Sequence, residues 1–241
     1  MRARVPLLVV VLAMLGRPGA PQAGAPPARR DILGTETKLY SQSDEELIIR
    51  DFFQDRRDGF FLDVGCAWPI KNNNTYYLED RLGWSGIGID ALPEYGKKWH
   101  RQRHRSRFFN YIVTDHSGTT ETFYRSKLLG ISAIRPPVDP QQHATKAEAI
   151  EIPTITLTEL LDQNGVKTID LLSMDIEEAE PMALAGFDIE RFKPQLACVE
   201  AHTTTRDRIM AYFTGHGYQR IERYLAYDRV SYYFTPDPGA R

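Results

Sequence analysis

Asp63-Val64-Gly65-Cys66-Ala67 and, at the end of the next apolar run, Asp90 are the residues of this chain most readily read as chemistry. A glycine after an apolar strand lets a ligand approach the backbone, and the amides of a following helix face the same crevice. An acid ending the next strand can accept both hydroxyls of a ribose. Together they signal a nucleoside cofactor, although a tight turn and a helix-capping Asp would leave the same residues. The loop has no G-x-G-x-x-G. Trp68-Pro69-Ile70 stands where further glycines would seat a pyrophosphate. The expected cofactor therefore lacks phosphates. S-adenosylmethionine fits, with adenine and ribose to hold and a sulfonium cation.

Further acids sit at other strand ends. Asp115 follows Val113-Thr114 and can accept from an adenine amino group, or simply close a turn before Ser117-Gly118. Asp175, Glu177, Glu178 and Glu180 crowd the junction of an apolar run and a helix, where the helix dipole favours acids. Asp175 can steady a sulfonium-bearing substrate, act as a general base on a hydroxyl, or share a divalent ion with Glu177. Glu177 and Glu180 are three apart and are expected on one helix face. In Glu200-Ala201-His202, the histidine can take a proton near neutral pH, although a lone His also caps or decorates surfaces. The candidate catalytic residues are thus Asp175, Glu177 and His202.

The elements that must position these residues alternate. Strands are predicted over Phe60–Val64, Trp84–Ile89, Arg107–Val113, Thr120–Tyr124, Ile152–Ile155, Ile169–Met174 and Leu196–Val199. Helices are predicted over Thr75–Leu82, Glu94–Arg103, Leu157–Gln163, Glu177–Ala185 and Asp207–Thr214. Ser43 and Glu46 read as a capping box before the stripe Leu47, Ile48, Phe52 and Phe53. The middle, Thr119 to Ala149, reads as a hairpin and a loop broken at Pro136-Pro137. Tyr218–Leu225 and Val230–Phe234 read as two closing strands. The expected fold is α/β: a mostly parallel sheet covered by helices on both faces, with a C-terminal antiparallel hairpin.

Composition narrows the classes. The chain has 241 residues, with 30 Lys+Arg against 32 Asp+Glu, a net charge of −2. No global basic field for nucleic acid is present. Arg2 and Arg4 precede the apolar run Val5–Leu15, and Ala23-Gly24-Ala25 offers a cleavage site. This reads as a signal peptide over 1–25, too short for a stable transmembrane span. A disordered linker is expected over 26–34 and one domain over 35–241. The chain is then expected in the secretory pathway or periplasm, or in the cytoplasm if the start codon lies further downstream. Asn73-Asn74-Thr75 reads as a glycosylation sequon, and a glycan there would sit beside the cofactor loop. Cys66 follows the first strand and Cys198 lies on a strand expected two positions away. That separation exceeds disulfide reach, so both thiols are expected free.

Two runs carry a family resemblance. The first is Phe61-Leu62-Asp63-Val64-Gly65, then Asn74-Thr75-Tyr76-Tyr77-Leu78-Glu79 and Trp84-Ser85-Gly86-Ile87-Gly88-Ile89-Asp90. The second is Ile155-Thr156-Leu157-Thr158-Glu159-Leu160-Leu161, then Ile169 to Glu177, Ala179-Glu180 and Leu184-Ala185-Gly186-Phe187. In this order they resemble the FkbM-type methyltransferase domain, over about Glu36 to Phe234. The resemblance implies a Rossmann-like fold and S-adenosylmethionine-dependent O-methylation of a sugar, glycolipid or related small molecule. It also implies that Asp63 and Gly65 line the methionine end of the cofactor and that Asp90 holds the ribose. Asp115 would then stand near the adenine and Asp175 would face the methyl group. Two departures stand out: Glu178, where the family often has Gly, could narrow the acceptor site, and the Cys66–Ile70 loop is bulky. A non-catalytic secretory-pathway interaction protein keeping this fold is the alternative. A different nucleotide-binding enzyme is a third, against which the missing glycines argue.

Overall fold

The computed structural model describes residues 28–125 and 148–240. In chain order its strands are β1 (Phe60–Val64), β2 (Ser85–Asp90), β3 (Ser106–Asn110), β4 (Ile112–Val113), β5 (Thr120–Arg125), β6 (Glu148–Ile155), β7 (Leu171–Met174), β8 (Leu196–Glu200), β9 (Tyr218–Arg220) and β10 (Ser231–Pro236). The helices are α1 (Ile32–Thr35), α2 (Glu45–Phe53), α3 (Tyr76–Leu82), α4 (Pro93–Gln102), α5 (Leu157–Gln163), α6 (Glu180–Ala185), α7 (Ile189–Phe192) and α8 (Arg206–Gly215), with a 3-10 turn over Glu222–Ala226. No described helix is long and apolar enough to cross a membrane.

Seven strands form one sheet in the order β3-β2-β1-β7-β8-β10-β9. β1, β2, β3, β7 and β8 are parallel, and β10 runs antiparallel to β8 and β9. This is the expected parallel sheet with its C-terminal hairpin. The strand order reverses between β1 and β7, which places the ligand crevice over their carboxyl ends.

Alternation along the strands divides the core. Leu62 and Val64 of β1, with Leu172 and Met174 of β7, pack on one face against Leu160 of α5, Leu184 of α6 and Phe213 of α8. Phe61 and Leu171 pack on the other face against Ile48, Ile49 and Phe53 of α2 and Leu78 of α3. β6 forms a second, small sheet with β4 (parallel) and β5 (antiparallel). Phe123 and Ile152 of that sheet pack with Leu92, Tyr95 and Ile112 beside the crevice.

Several local expectations change for physical reasons. The strand predicted over Arg107–Val113 is two. Asn110 Nδ2 donates to the Asp90 and Ala91 carbonyls, and the chain turns at Tyr111 so that β4 joins β6. The strand expected over Ile152–Ile155 begins at Glu148. The helix predicted from Glu177 starts at Glu180, because Glu177 and Glu178 take left-handed φ of 54° and 71°. Those two acids therefore precede the helix, and Glu177 and Glu180 do not share a helix face. The strand predicted to Leu225 ends at Arg220, and the 3-10 turn buries Tyr224, whose hydroxyl donates to Asp51.

The capping box at Ser43 does not form. Ser41 Oγ accepts the Glu46 amide (3.2 Å), while the Glu46 carboxylate takes the Leu39 and Tyr40 amides. The segment expected as linker makes contacts from Arg29 onward. Arg29 pairs with Asp51, Asp31 caps α1 and Ile32 is buried. The leader over 1–25 and the break at Pro136-Pro137 lie outside the described residues.

Candidate active site

β1, β2, β4, β7 and β8 end at one cleft of about 360 Å3. A recess of about 100 Å3 adjoins it and shares Gly65, Asn72, Asp175 and Glu200 with it. The Gly65 amide donates to the Ile89 carbonyl (2.9 Å) and the Asp175 amide to the Val64 carbonyl (2.9 Å). The strands thus stay bonded up to the cleft's floor. Gly65 has φ of 79°, and a β-carbon there would lie 1.8 Å from the Asp175 carbonyl oxygen. The glycine is needed first for the close approach of β1 to the chain leaving β7.

Asp90 sits where predicted, at the end of β2 on the cleft wall. Its Oδ2 accepts the Ala67 amide (3.0 Å) and its Oδ1 the Leu92 amide (2.8 Å). Each oxygen keeps a lone pair for a further donor. Burial pushes its pKa up to about 7 against the pull of those two amides. Beside it, Leu92, Tyr95, Ile112, Val113 and Phe123 form an apolar wall. An acceptor for ribose hydroxyls next to an apolar slot suits a nucleoside. Trp68 also lines the cleft, edge-on to Tyr95 (5.1 Å) and capped by Lys98 Nζ (3.7 Å).

Asp115 is not brought to this wall. Its carboxylate is exposed and takes His116 Nδ1 at 2.8 Å. The surface expected to meet an adenine amino group there is instead apolar.

Asp63 is buried and borders the recess. It accepts from Thr75 Oγ1 (2.7 Å) and Asn73 Nδ2 (3.2 Å). Burial raises its pKa to about 6, opposed by Thr75 and by the charge of Arg103. The Arg103 guanidinium is fully buried, paired with Glu79 (2.7 Å), bonded to Asn73 Oδ1 (3.0 Å) and stacked on Trp99 (4.3 Å). Asp63 thus anchors the loop from Cys66 to Thr75. The sequon asparagine is locked inside this network: Asn73 is 2% exposed and its Nδ2 also donates to the Cys66 carbonyl. Cys66 and Cys198 are free and buried, with β7 between β1 and β8.

Across the cleft the acids converge. The Asp175 and Glu200 carboxyls face one another closely enough that ionising one raises the cost of ionising the other. Desolvation inside the cleft is the main cause of the rise in both pKa values, although the Asp175 residue keeps exposed surface. The Asp175 charge then helps push Glu200 to about 9. Glu177 lines the cleft and is raised to about 7 by burial and by Asp175. Glu180, fully buried, accepts the Ile176 amide (3.0 Å) beneath them. His202 stands behind the wall, with Nε2 3.0 Å from Glu200 Oε2. One ligand atom each from Glu177, Glu200 and His202 can be chosen within 4.8 Å of one another. Glu178 points elsewhere: it is exposed, accepts from Thr204 Oγ1 and does not line the cleft, so it does not narrow the site. Its left-handed φ is the backbone that glycine adopts without cost.

Glu200 is the residue that sequence reasoning passed over. Glu200 and His202 are two apart at a strand end, a spacing that puts both side chains on one side. That spacing was the available signal. Among the described residues, no Lys, Arg or His lines either cavity. A pyrophosphate would meet acids and no cation, whereas a sulfonium or ammonium suits this end of the cleft.

The family described as "Methyltransferase FkbM domain" matches residues 63–220. No curated protein matches the sequence. Among solved structures, a TehB-like SAM-dependent methyltransferase from Corynebacterium glutamicum is 14% identical, with 86% of this chain and 92% of that chain covered and a TM-score of 0.46. A precorrin 8w decarboxylase from Methanobacterium thermoautotrophicum is 14% identical, with 79% and 88% covered and a TM-score of 0.44. A putative RNA methyltransferase from Pyrococcus horikoshii is 12% identical, with 82% of each chain covered and a TM-score of 0.41.

Proposed function

Because this chain belongs to the FkbM methyltransferase domain family, we propose that it is an S-adenosylmethionine-dependent O-methyltransferase whose acceptor is a hydroxyl of a sugar, glycolipid or related small molecule. One observation carries this: across a single cleft, Asp90 offers a doubly anchored carboxylate beside an apolar slot, and Asp175 with Glu200 offers an acidic pair. The first end suits ribose and adenine, the second a sulfonium. S-adenosylmethionine bound there supplies the methyl group.

The residues of this chain do the rest. Asp90 orients the ribose. Gly65 lets β1 lie against the chain leaving β7 and so shapes the cleft floor, and Asp63 anchors the loop beside it. Leu92, Ile112 and Phe123 exclude water from the slot. Asp175, lining the cleft beside Glu177, takes the one proton of the acceptor hydroxyl as its oxygen bonds to the methyl carbon and the methyl–sulfur bond breaks, leaving a neutral thioether. His202 does not line the cleft, so it bears on the acceptor through Glu200 and not as a direct base. Bringing donor and acceptor together contributes several kcal/mol by itself.

Calorimetric titration with S-adenosylmethionine, and NAD as control, tests the first half. Micromolar binding of the former alone is expected. Transfer of a labelled methyl group to a panel of neutral sugars and glycolipids tests the second. A folded sample that binds neither ligand would sink this function.

A further inference from the structure

We propose that Glu177, Glu200 and His202 bind one divalent first-row metal ion at the rim of the cleft. Metal binding can be measured in the absence of methyl transfer, so this stands apart from the function above. The three residues come from two chain segments that converge: the left-handed turn after β7 and the end of β8. Their nearest ligand atoms lie within 4.8 Å of one another. Ligands at about 2.0–2.2 Å from one ion stand at most about 4.4 Å apart, so a small rotamer change closes the set.

A second observation points to a missing partner. Glu200 Oε2 is buried and has no hydrogen-bond partner among the described residues, although His202 Nε2 is only 3.0 Å away. The two groups approach without the alignment of a donor and an acceptor, as two ligands of a common ion do. Glu180, with no exposed surface, also has an unpartnered oxygen and sits beneath the same turn. Unmade contacts of this kind are costly in a folded protein. A cation among these carboxylates offsets that cost.

The donor set selects the ion. Two carboxylates with an imidazole suit manganese or zinc, whereas calcium prefers an all-oxygen shell. Remaining positions would face the cleft, where water or an acceptor hydroxyl can enter. A metal-bound hydroxyl loses its proton more readily.

The test uses the full chain, stripped with EDTA and returned to chelator-free buffer. MnCl2 is then titrated while the signal of free manganese is followed by electron paramagnetic resonance. One saturable ion per chain is expected. Glu200→Gln and His202→Gln are each expected to weaken it at least tenfold, and Glu190→Gln on α7 to leave it unchanged. No saturable binding, or equal binding by the first two variants, overturns the proposal. Should those variants fail to fold, the wild-type chain still decides. Substoichiometric manganese must broaden the ring protons of His202 and spare those of His100, and sharp His202 signals overturn the site. S-adenosylmethionine titrated in EDTA keeps the two questions separate, since its failure with manganese binding intact would remove only the methyltransferase function.

Discussion

A β-carbon placed on Gly65 would lie 1.8 Å from the carbonyl oxygen of Asp175. The two residues end neighbouring parallel strands at the point where the strand order reverses. Gly65→Ala must therefore push β1 from β7 and also hold alanine at a φ of 79°. Left-handed backbone and overpacking together cost about 3 kcal/mol. A fall in Tm of about 10 °C is expected by circular dichroism, on the scaling for domains of this size. An unchanged Tm would mean that the two segments are not in contact.

Asp90→Asn is expected to weaken S-adenosylmethionine binding by about 10- to 100-fold, the worth of a hydrogen bond to a charged group. The amide cannot accept from both Ala67 and Leu92, because one of its two ends is a donor. Calorimetry on the folded variant reads the loss directly.

The same carboxylate sets a pH dependence. Burial raises its pKa to about 7, and the ionised form is the better acceptor for ribose hydroxyls. Below about pH 7 the proton competes with the cofactor, so affinity falls up to about tenfold per unit. Affinity should rise between pH 6 and 8 and then level. A flat profile would show that Asp90 does not bear on the ligand.

Arg103→Met leaves Glu79 charged and buried without its partner. Breaking such a pair costs about 3–5 kcal/mol. Urea midpoints should drop sharply for this variant. Arg191→Met, which removes an exposed partner of Asp162, should leave the midpoint in place.

The sequon gives a fifth outcome. Asn73 is buried, and both ends of its amide are bonded to Asp63, Cys66, Thr75 and Arg103. A glycan on Nδ2 and this network exclude one another. Peptide mapping of folded protein made in a glycosylating secretory host should find Asn73 bare. Any glycan at Asn73 should appear only in the aggregated fraction.

Much of the scaffold is legible in the residues because its signals are local. β1 and α5 fall where the apolar runs put them, at Phe60–Val64 and Leu157–Gln163, and Thr156 caps the latter through the Glu159 amide. What escapes is set by tertiary contacts. Nothing in Arg107–Val113 announces the turn at Tyr111, which depends on Asn110 reaching Asp90 and Ala91. The acids after Asp175 look like a helix start, yet Glu177 and Glu178 adopt a conformation that propensity assigns to glycine. Of the site, Gly65, Asp90, Asp175 and Glu177 are legible, since strand ends face the crevice. Asp115 stands off the cleft because only Ile112 and Val113 of β4 reach its wall, and the chain beyond them turns outward, where Asp115 meets His116. Glu200 is hidden by its neighbour His202, the more conspicuous residue type.

The two buried thiols carry a kinetic consequence. Cys66 lies in the loop just after β1 and Cys198 inside β8, with burial raising both thiol pKa values and so holding them protonated and unreactive. A thiol reagent can reach them only when the surrounding structure opens. Each cysteine is then a built-in stopwatch for one half of the sheet. Equal labelling rates would mean that the cofactor side and the hairpin side open in a single event. A faster Cys66 would mean that the cofactor loop breathes on its own, at the tempo with which a ligand enters and leaves.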